Sequence, residues 1–512
     1  MGFLPDKTSR CTWSKFADPE TSPHTKRSWE KDCCKIYPDI LTAIGSTPLV
    51  RLNSIPKGAG IECEVYVKCE YMNPAFSVKD RIALRAILDG EENGILSPGT
   101  TIIEPTTGNT GVAFAMVASI KGYPCILVMP EKTSPEKISL MKSLGAKVVL
   151  CPNAAPMGST ESIFGRTYQL VKETPNSVTL DQFSNCANPL AHYDRTAEEI
   201  WDALDGNIDM VVAGAGTGGT LTGIGRKLKE FKPETLVVGA DPYSSEIARP
   251  DYLNRSDVRN SEIEGIGFKA FTPTTLDRNV IDKWVKVSDK DAFVMTRRLI
   301  REEGILCGGT SGAATYAALI AAKDLPADKK VVVILPDSFR FYLGRMGRDQ
   351  WMETRQYQLC LNKNSRWWWD INLSELKMKE PDSFLPCISC HRAVHQLTKN
   401  EWEYMSVIDK IGHLIGVISH NKLLQKLILQ TVLPNDPIEK AMVVIDIPKI
   451  VNTSNLGLLS RAFDLDEYCI VYKKIYSEDA SSYIEKPVGL LTPFDLLHYI
   501  ANHPNIVKYG AI

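Results

Sequence analysis

Residues 209–231, DMVVAGAGTGGTLTGIGRKLKEF, place an apolar β-branched run, a cluster of glycines and an amphipathic stretch in immediate succession. DMVVA reads as a strand buried on both faces, and LTGIGRKLKEF as the helix that follows it. Between them, Gly214-Ala215-Gly216-Thr217-Gly218-Gly219-Thr220 lets the backbone approach a ligand at a helix N-terminus, where free N–H groups favour an anion. Strand, glycine loop and helix in that order form a βα unit, so the stretch predicts an α/β fold with a parallel sheet. Thr217 and Thr220 can hydrogen-bond phosphate oxygens. The loop also satisfies G-x-G-x-x-G, and Asp241 follows the next apolar run where a dinucleotide fold would place its ribose-binding acid. Taken alone, the stretch implies a phosphate of some kind.

The same alternation runs outward over residues 41–350. EVYV (64–67), TII (101–103), CILVM (125–129), KVVL (147–150), LVVGA (236–240) and VVVIL (331–335) are short apolar runs separated by segments of helix length. At 512 residues the chain exceeds one hydrophobic core. The first 40 residues are polar and without period, so they predict a loop ordered by something other than a core. Beyond 351 the character changes. Trp367, Trp368 and Trp369 stand together, and then MSVID (405–409) with LIGVIS (414–419), and YCIVY (468–472) with PVGLLT (487–492), each precede a helix-like stretch. A strand, strand, helix plan used twice predicts two copies of one small α/β module packed on each other. The expected division is 1–40, 41–350, a linker at 351–378, and a tandem at 379–512.

Composition narrows the class. A hydrophobic fraction of 44% with 23% charged residues is that of an ordinary globular protein, and a net charge of −2 gives no reason to expect nucleic acid or a membrane surface as partner. Thirteen cysteines, an odd number, follow an N-terminus without a signal-length apolar stretch. The expectation is a cytoplasmic protein with reduced thiols and no membrane span. Cys387 and Cys390 form a lone CxxC and read as ordinary thiols.

Two further segments carry chemistry. Asn73-Pro74-Ala75-Phe76-Ser77-Val78-Lys79-Asp80-Arg81 turns at Asn-Pro and starts a helix with Ser77 as the expected N-cap. Lys79 then lies in the first turn, where the helix dipole lowers the cost of losing a proton, as condensation with an aldehyde requires. By itself the segment reads more readily as an ordinary capped helix with a solvated lysine. Glu104-Pro105-Thr106-Thr107-Gly108-Asn109-Thr110-Gly111 follows a strand and opens a helix. Thr106, Thr107 and Thr110 with the helix N–H groups can grip a carboxylate, and Asn109 can donate to a phenolate oxygen, more polar side chains than an N-cap alone needs.

SVKDR, EPTTGNTG and GTGGTLTG, in this order, resemble the fold-type II (tryptophan synthase β-like) pyridoxal-phosphate enzymes over residues 41–350. LDQFSNCANPLAHYD (180–194), EGIG (264–267), LCGGTSG (306–312) and ILPDSFRFY (334–342) resemble the cystathionine β-synthase branch more than cysteine synthases. The resemblance implies that Lys79 binds pyridoxal 5'-phosphate covalently and acts as acid and base. It implies that Asn109 contacts the ring oxygen, that Gly216, Thr217, Gly218, Gly219 and Thr220 hold the phosphate, and that Thr310 faces the ring nitrogen. Thr106, Thr107, Asn109, Thr110 and Gln182 would hold the substrate carboxylate. The implied activity is that of a lyase condensing L-serine with L-homocysteine to cystathionine and water, within transsulfuration and cysteine biosynthesis, in a homodimer or larger homo-oligomer.

Arg10-Cys11-Thr12-Trp13 and Ser22-Pro23-His24 resemble the heme-binding arm of animal members. Cys11 and His24 would be the axial ligands of heme b, with Arg226 beside the thiolate. The C-terminal tandem resembles a pair of CBS domains, with Thr492 and Asp495 suited to a nucleotide, S-adenosylmethionine being the family expectation. Ser419 takes the threonine's place in the first repeat, with Lys422 where an aspartate is wanted, so at most one nucleotide site is implied.

Departures from the pattern surround the expected active-site mouth. Ala75-Phe76 stands for Gly-Gly, Thr107 and Thr310 for serines, Phe183 and Phe268 for tyrosines, and Phe341 for an asparagine. They leave open a cysteine synthase-like enzyme using another thiol or sulfide, and a catalytically weak heme or nucleotide sensor.

Overall fold

In the computed structural model every one of those β-branched runs forms a strand. Residues 36–503 are described apart from short internal stretches, the longest being 359–365 and 477–482. The larger sheet has the order β1-β2-β10-β7-β8-β9. It joins β1 (Leu49–Arg51), β2 (Glu64–Lys68), β7 (Met210–Gly214), β8 (Leu236–Pro242), β9 (Lys283–Val287) and β10 (Lys330–Ile334). Only β1 runs antiparallel. The smaller sheet is parallel throughout, ordered β5-β4-β3-β6 from β3 (Thr101–Pro105), β4 (Cys125–Pro130), β5 (Lys147–Cys151) and β6 (Ser177–Val178).

Alternate residues of the larger sheet go to different cores. Val65, Val67, Met210, Val212 and Val333 pack on one face, and Val211, Ala213, Val237, Val332 and Ile334 on the other. Both faces are covered by helices, which is why these runs are apolar throughout instead of alternating. The Thr106–Gly111 loop follows β3, and the glycine loop follows β7. Both leave the carboxyl ends of parallel strands, where open α/β sheets bind ligands.

The helix carrying Lys79 begins later than its sequence suggests. Ser77 does not cap it: the helix spans Lys79–Glu92 with Val78 at the cap position. Ser77 pairs instead with Asp337 in an antiparallel bridge, and the Val78 N–H donates to the Pro336 carbonyl at 2.8 Å. This long-range pairing holds residues 77–78 against the segment after β10 and delays the first helical turn.

The C-terminal region repeats one plan. β11 (Ser383–Phe384), β12 (Tyr404–Ile408) and β13 (Leu414–Ser419) form one sheet, and β14 (Lys449–Val451), β15 (Cys469–Tyr476) and β16 (Tyr483–Leu491) another. In each, the first pair is parallel and the second antiparallel. Tyr404 and Tyr468 stack across the two modules at 4.4 Å. Trp368 and Trp369, read as linker, are buried with Leu456, Leu459 and Val471 in the core of the second module. Ion pairs tie the tandem to the rest, with Lys426 to Glu131 at 2.7 Å, Lys440 to Glu161 at 2.6 Å and Arg461 to Glu353 at 3.0 Å.

Candidate active site

The turn before Lys79 is held from within as well, since the Asp80 carboxylate accepts from the Ala75 N–H at 2.6 Å. Burial pushes the Lys79 ammonium down to about 8, with the Asp337 carboxylate pulling the other way. An amine in that range is neutral often enough near pH 7 to condense with an aldehyde and to take a proton.

The Thr106–Gly111 loop meets this turn through Asp337. Asn109 Nδ2 donates to Asp337 Oδ2 at 2.8 Å, and Tyr342 donates to the same oxygen at 2.5 Å. Asn109 Oδ1 is buried without a partner. Thr110 donates to Gln182 Oε1 at 2.7 Å, and Gln182 Nε2 donates to the Pro105 carbonyl at 3.3 Å. Thr106 shapes the loop itself, its hydroxyl accepting from the N–H groups of Gly108 and Gly111 at 3.1 and 3.0 Å. Thr107 is exposed. Thr110, Gln182 and Asn109 are therefore gathered at one place, whereas Thr106 points its oxygen into the loop.

The glycine loop starts the Gly219–Phe231 helix. A Cβ on Gly219 would stand 1.9 Å from Asn188 Oδ1, so no side chain fits there. Asn188 Nδ2 donates to the Gln182 carbonyl at 2.8 Å and to Thr217 Oγ1 at 2.9 Å, joining Gln182 to the glycine loop. Asn188 Oδ1 is also buried without a partner. Thr220 Oγ1 lies 3.2 Å from His192 Nε2. Thr310 opens the Gly309–Ala321 helix and donates to the Glu264 carbonyl at 2.5 Å. Asp241, the ribose candidate, is buried and paired with Lys286 at 2.7 Å. That pairing removes the dinucleotide alternative, because the acid is occupied.

A near-neutral lysine and a glycine loop closed to any Cβ at a helix N-terminus fit pyridoxal phosphate, whose aldehyde condenses with an amine and whose phosphate is held by free backbone N–H groups. A family model described as "Pyridoxal-phosphate dependent enzyme" matches residues 40–337. The cystathionine beta-synthase of Apis mellifera is 47% identical over 509 residues, covering 99% of this chain and 98% of that protein. This chain belongs to the cystathionine beta-synthase family. Within that family, the Oryctolagus cuniculus protein is 43% identical over 503 residues, with 97% of this chain and 91% of the relative covered. Among solved structures, a hydrogen sulfide-producing enzyme from Fusobacterium nucleatum superposes with a TM-score of 0.56 at 36% identity, covering 60% of this chain and 100% of its own.

Several departures from the family pattern meet in space. Phe76 adopts φ +67°, a left-handed conformation that suits the family's glycine. Its ring packs edge-on to Phe341 at 6.2 Å and under Arg340 at 4.9 Å. Phe183 and Phe268 join Phe164 and Phe271 in a cluster of rings 5.1–5.9 Å apart.

Asp337, Asn188 and His192 were not singled out by sequence. Asp337 follows a buried parallel strand, and that position alone could have flagged it. Asn188 and His192 sit in ANPLAHYD, where nothing local marks them. Cys11 and His24 lie outside the described residues. Arg226 is half-exposed and donates to Asp277 Oδ2 at 2.6 Å from Nη2. Asp495 Oδ2 accepts from the Thr492 N–H and hydroxyl at 2.7 and 2.9 Å. Among the described residues, no helix is long and apolar enough to cross a membrane.

Proposed function

We propose that this protein condenses L-serine with L-homocysteine to L-cystathionine and water with pyridoxal 5'-phosphate as cofactor. The observation that carries the reading is Lys79, buried and brought near neutrality beside Asp337, the carboxylate that Asn109 of the Thr106–Gly111 loop also reaches at 2.8 Å. Relatives of the same name along the whole chain support it.

The bound cofactor would supply an electron sink for the carbanion left when serine loses its α-proton. Lys79 would hold it covalently, Asn109 would face its ring oxygen, Gly216–Thr220 would hold its phosphate, and Thr310 would stand opposite its ring nitrogen. A hydroxyl there, unlike a carboxylate, leaves that nitrogen unprotonated. Thr107, Thr110, Gln182 and the helix N–H groups would receive the serine carboxylate, the Thr110–Gln182 bond opening to do so. Lys79 Nζ takes the α-proton and passes a proton to the departing hydroxyl, which leaves as water. The homocysteine thiol then gives up its proton to Lys79 Nζ as its sulfur bonds to the β-carbon, and Lys79 returns that proton to the α-carbon. With L-cysteine as first substrate the leaving group is hydrogen sulfide, a second outcome of the same site.

The test is product analysis of the purified, cofactor-loaded protein. Cystathionine formed from serine and homocysteine supports the reading, and its absence overturns it. Cysteine formed only when sulfide is the nucleophile would favour the cysteine synthase-like alternative.

Heme b between Cys11 and His24 belongs to the same proposal, with Arg226 exposed where an arm thiolate would compete with Asp277. A Soret band that shifts in Cys11→Ala supports it. The assembly is proposed as a cytoplasmic homodimer or larger, with the arm at 1–40, the core at 41–350, the linker at 351–378 and the tandem at 379–512. S-adenosylmethionine would occupy at most the second module, and its ribose would have to displace Thr492 from Asp495.

A further inference from the structure

We propose that His192 is a positioning residue for the cofactor phosphate: it turns the Thr220 hydroxyl so that its proton points at the anion in the glycine loop. The inference rests on the reading of Gly216–Thr220 as the phosphate site.

His192 begins a π-helical turn, His192–Thr196, set between the short helices Ala187–Ala191 and Ala197–Ala203. Such turns occur mostly as single insertions and frequently at functional sites. The imidazole is fully buried. Its Nδ1 is 2.9 Å from Thr196 Oγ1, and its Nε2 is 3.2 Å from Thr220 Oγ1. Gly223, on the helix that Thr220 helps to start, makes the approach possible, because a Cβ there would lie 2.8 Å from His192 Cβ.

Proton accounting orients the chain. Burial pushes the imidazole down to about 3, and the nearby Arg81 cation acts in the same direction. The ring is therefore neutral and carries a single N–H, so one nitrogen donates and the other accepts. If Nε2 were the acceptor, the Thr220 proton would be drawn away from the loop. A phosphate dianion favours the opposite order, in which every donor points toward it. Thr196 then donates to Nδ1, Nε2–H donates to Thr220 Oγ1, and the Thr220 proton is left for a phosphate oxygen. No proton is transferred, and the triad only sets a direction. A histidine that merely fills the core would accept either order.

The experiment compares full-length His192→Gln and His192→Leu with the parent. The Gln amide can place a donor near the Nε2 position, and Leu cannot. Pyridoxal phosphate affinity of the apo-protein is measured by equilibrium dialysis, and the phosphate environment by the phosphorus NMR shift of bound cofactor. We expect His192→Leu to weaken binding roughly tenfold, as for a lost hydrogen bond in a charged chain, and to move the phosphorus resonance. His192→Gln should restore both to near the parent values. A folded His192→Leu protein with parental affinity and shift would overturn the proposal. Should that variant not fold, Thr196→Val removes the donor to Nδ1 and must still move the resonance, or the proposal fails. A parent protein that binds the cofactor without any loop-dependent phosphorus shift, tested with Thr217→Val, would instead sink the phosphate-site reading beneath it.

Discussion

The Lys79 turn and the Gly214–Thr220 loop both deliver a helix N-terminus to the same site, yet they are held by opposite means. The glycine loop is fixed by what it lacks: a Cβ at Gly219 would collide with Asn188 at 1.9 Å. The Lys79 turn is fixed by what reaches it from far along the chain, with Pro336, Asp337 and Phe341 all pressing on residues 76–79. A loop defined by steric exclusion tolerates almost no substitution. A loop defined by distant contacts can change if its partners change, and Phe76 with Phe341 is such a paired departure.

The largest expected effect removes the chemistry and leaves both loops intact. Lys79→Ala should lower kcat by at least about a thousandfold, the scale of a lost acid and base, while circular dichroism and melting temperature stay near the parent. Residual turnover within tenfold of the parent would mean that another group takes the α-proton. Next, Gly219→Ala should destabilise the protein by about 1–3 kcal/mol through overpacking against Asn188, read by chemical denaturation, and should weaken cofactor binding as well. If Gly219→Ala were as stable as the parent and bound cofactor normally, steric exclusion would not be what defines that loop.

A third change tests how the distant segment sets the lysine. Asp337 holds the Lys79 ammonium up against the desolvation that lowers it to about 8. Asp337→Asn removes the negative charge, so the amine should lose its proton at a lower pH. The pH dependence of its reaction with pyridoxal phosphate in the apo-protein should shift to the acid side. An unchanged profile would show that Asp337 does not carry its charge in this site. The smallest effect belongs to Phe76→Gly. Relief of the left-handed conformation, roughly 1–2 kcal/mol, offsets most of what the half-buried ring contributes, about 0.5–1.5 kcal/mol from its aromatic contacts and about 1 kcal/mol from partial apolar burial. Net stability should move by under about 1 kcal/mol, and a double-mutant cycle with Phe341→Ala should show coupling between the rings. Additive effects would mean that the two departures are independent.

The tandem sharpens the contrast between local and distant control. The antiparallel pairs of both modules were legible, edge strands β13 and β16 included, and each module's sheet plan repeats, but the short β11 and β14 were not foreseen. The same holds for β1, β6 and β9. All of these stand at sheet edges. An edge strand makes one ladder and packs less, so its sequence carries little apolar signal. Trp368 and Trp369 show the converse, since a polar neighbourhood in sequence became the core of the second module once Leu456 and Leu459 folded over it.

Sequence alone determined the α/β architecture and the order of the lysine, threonine and glycine segments. Those follow from local rules: runs buried on both faces must be apolar throughout, and a backbone pressed against a neighbour must be glycine. Only the tertiary structure decided that Ser77 bridges to Asp337 instead of capping the helix, that Asp241 is occupied by Lys286, and that Asn188 and His192 support the glycine loop. Each of these depends on groups distant in sequence coming within hydrogen-bonding reach, and their pairing has no local period or spacing by which it could be read.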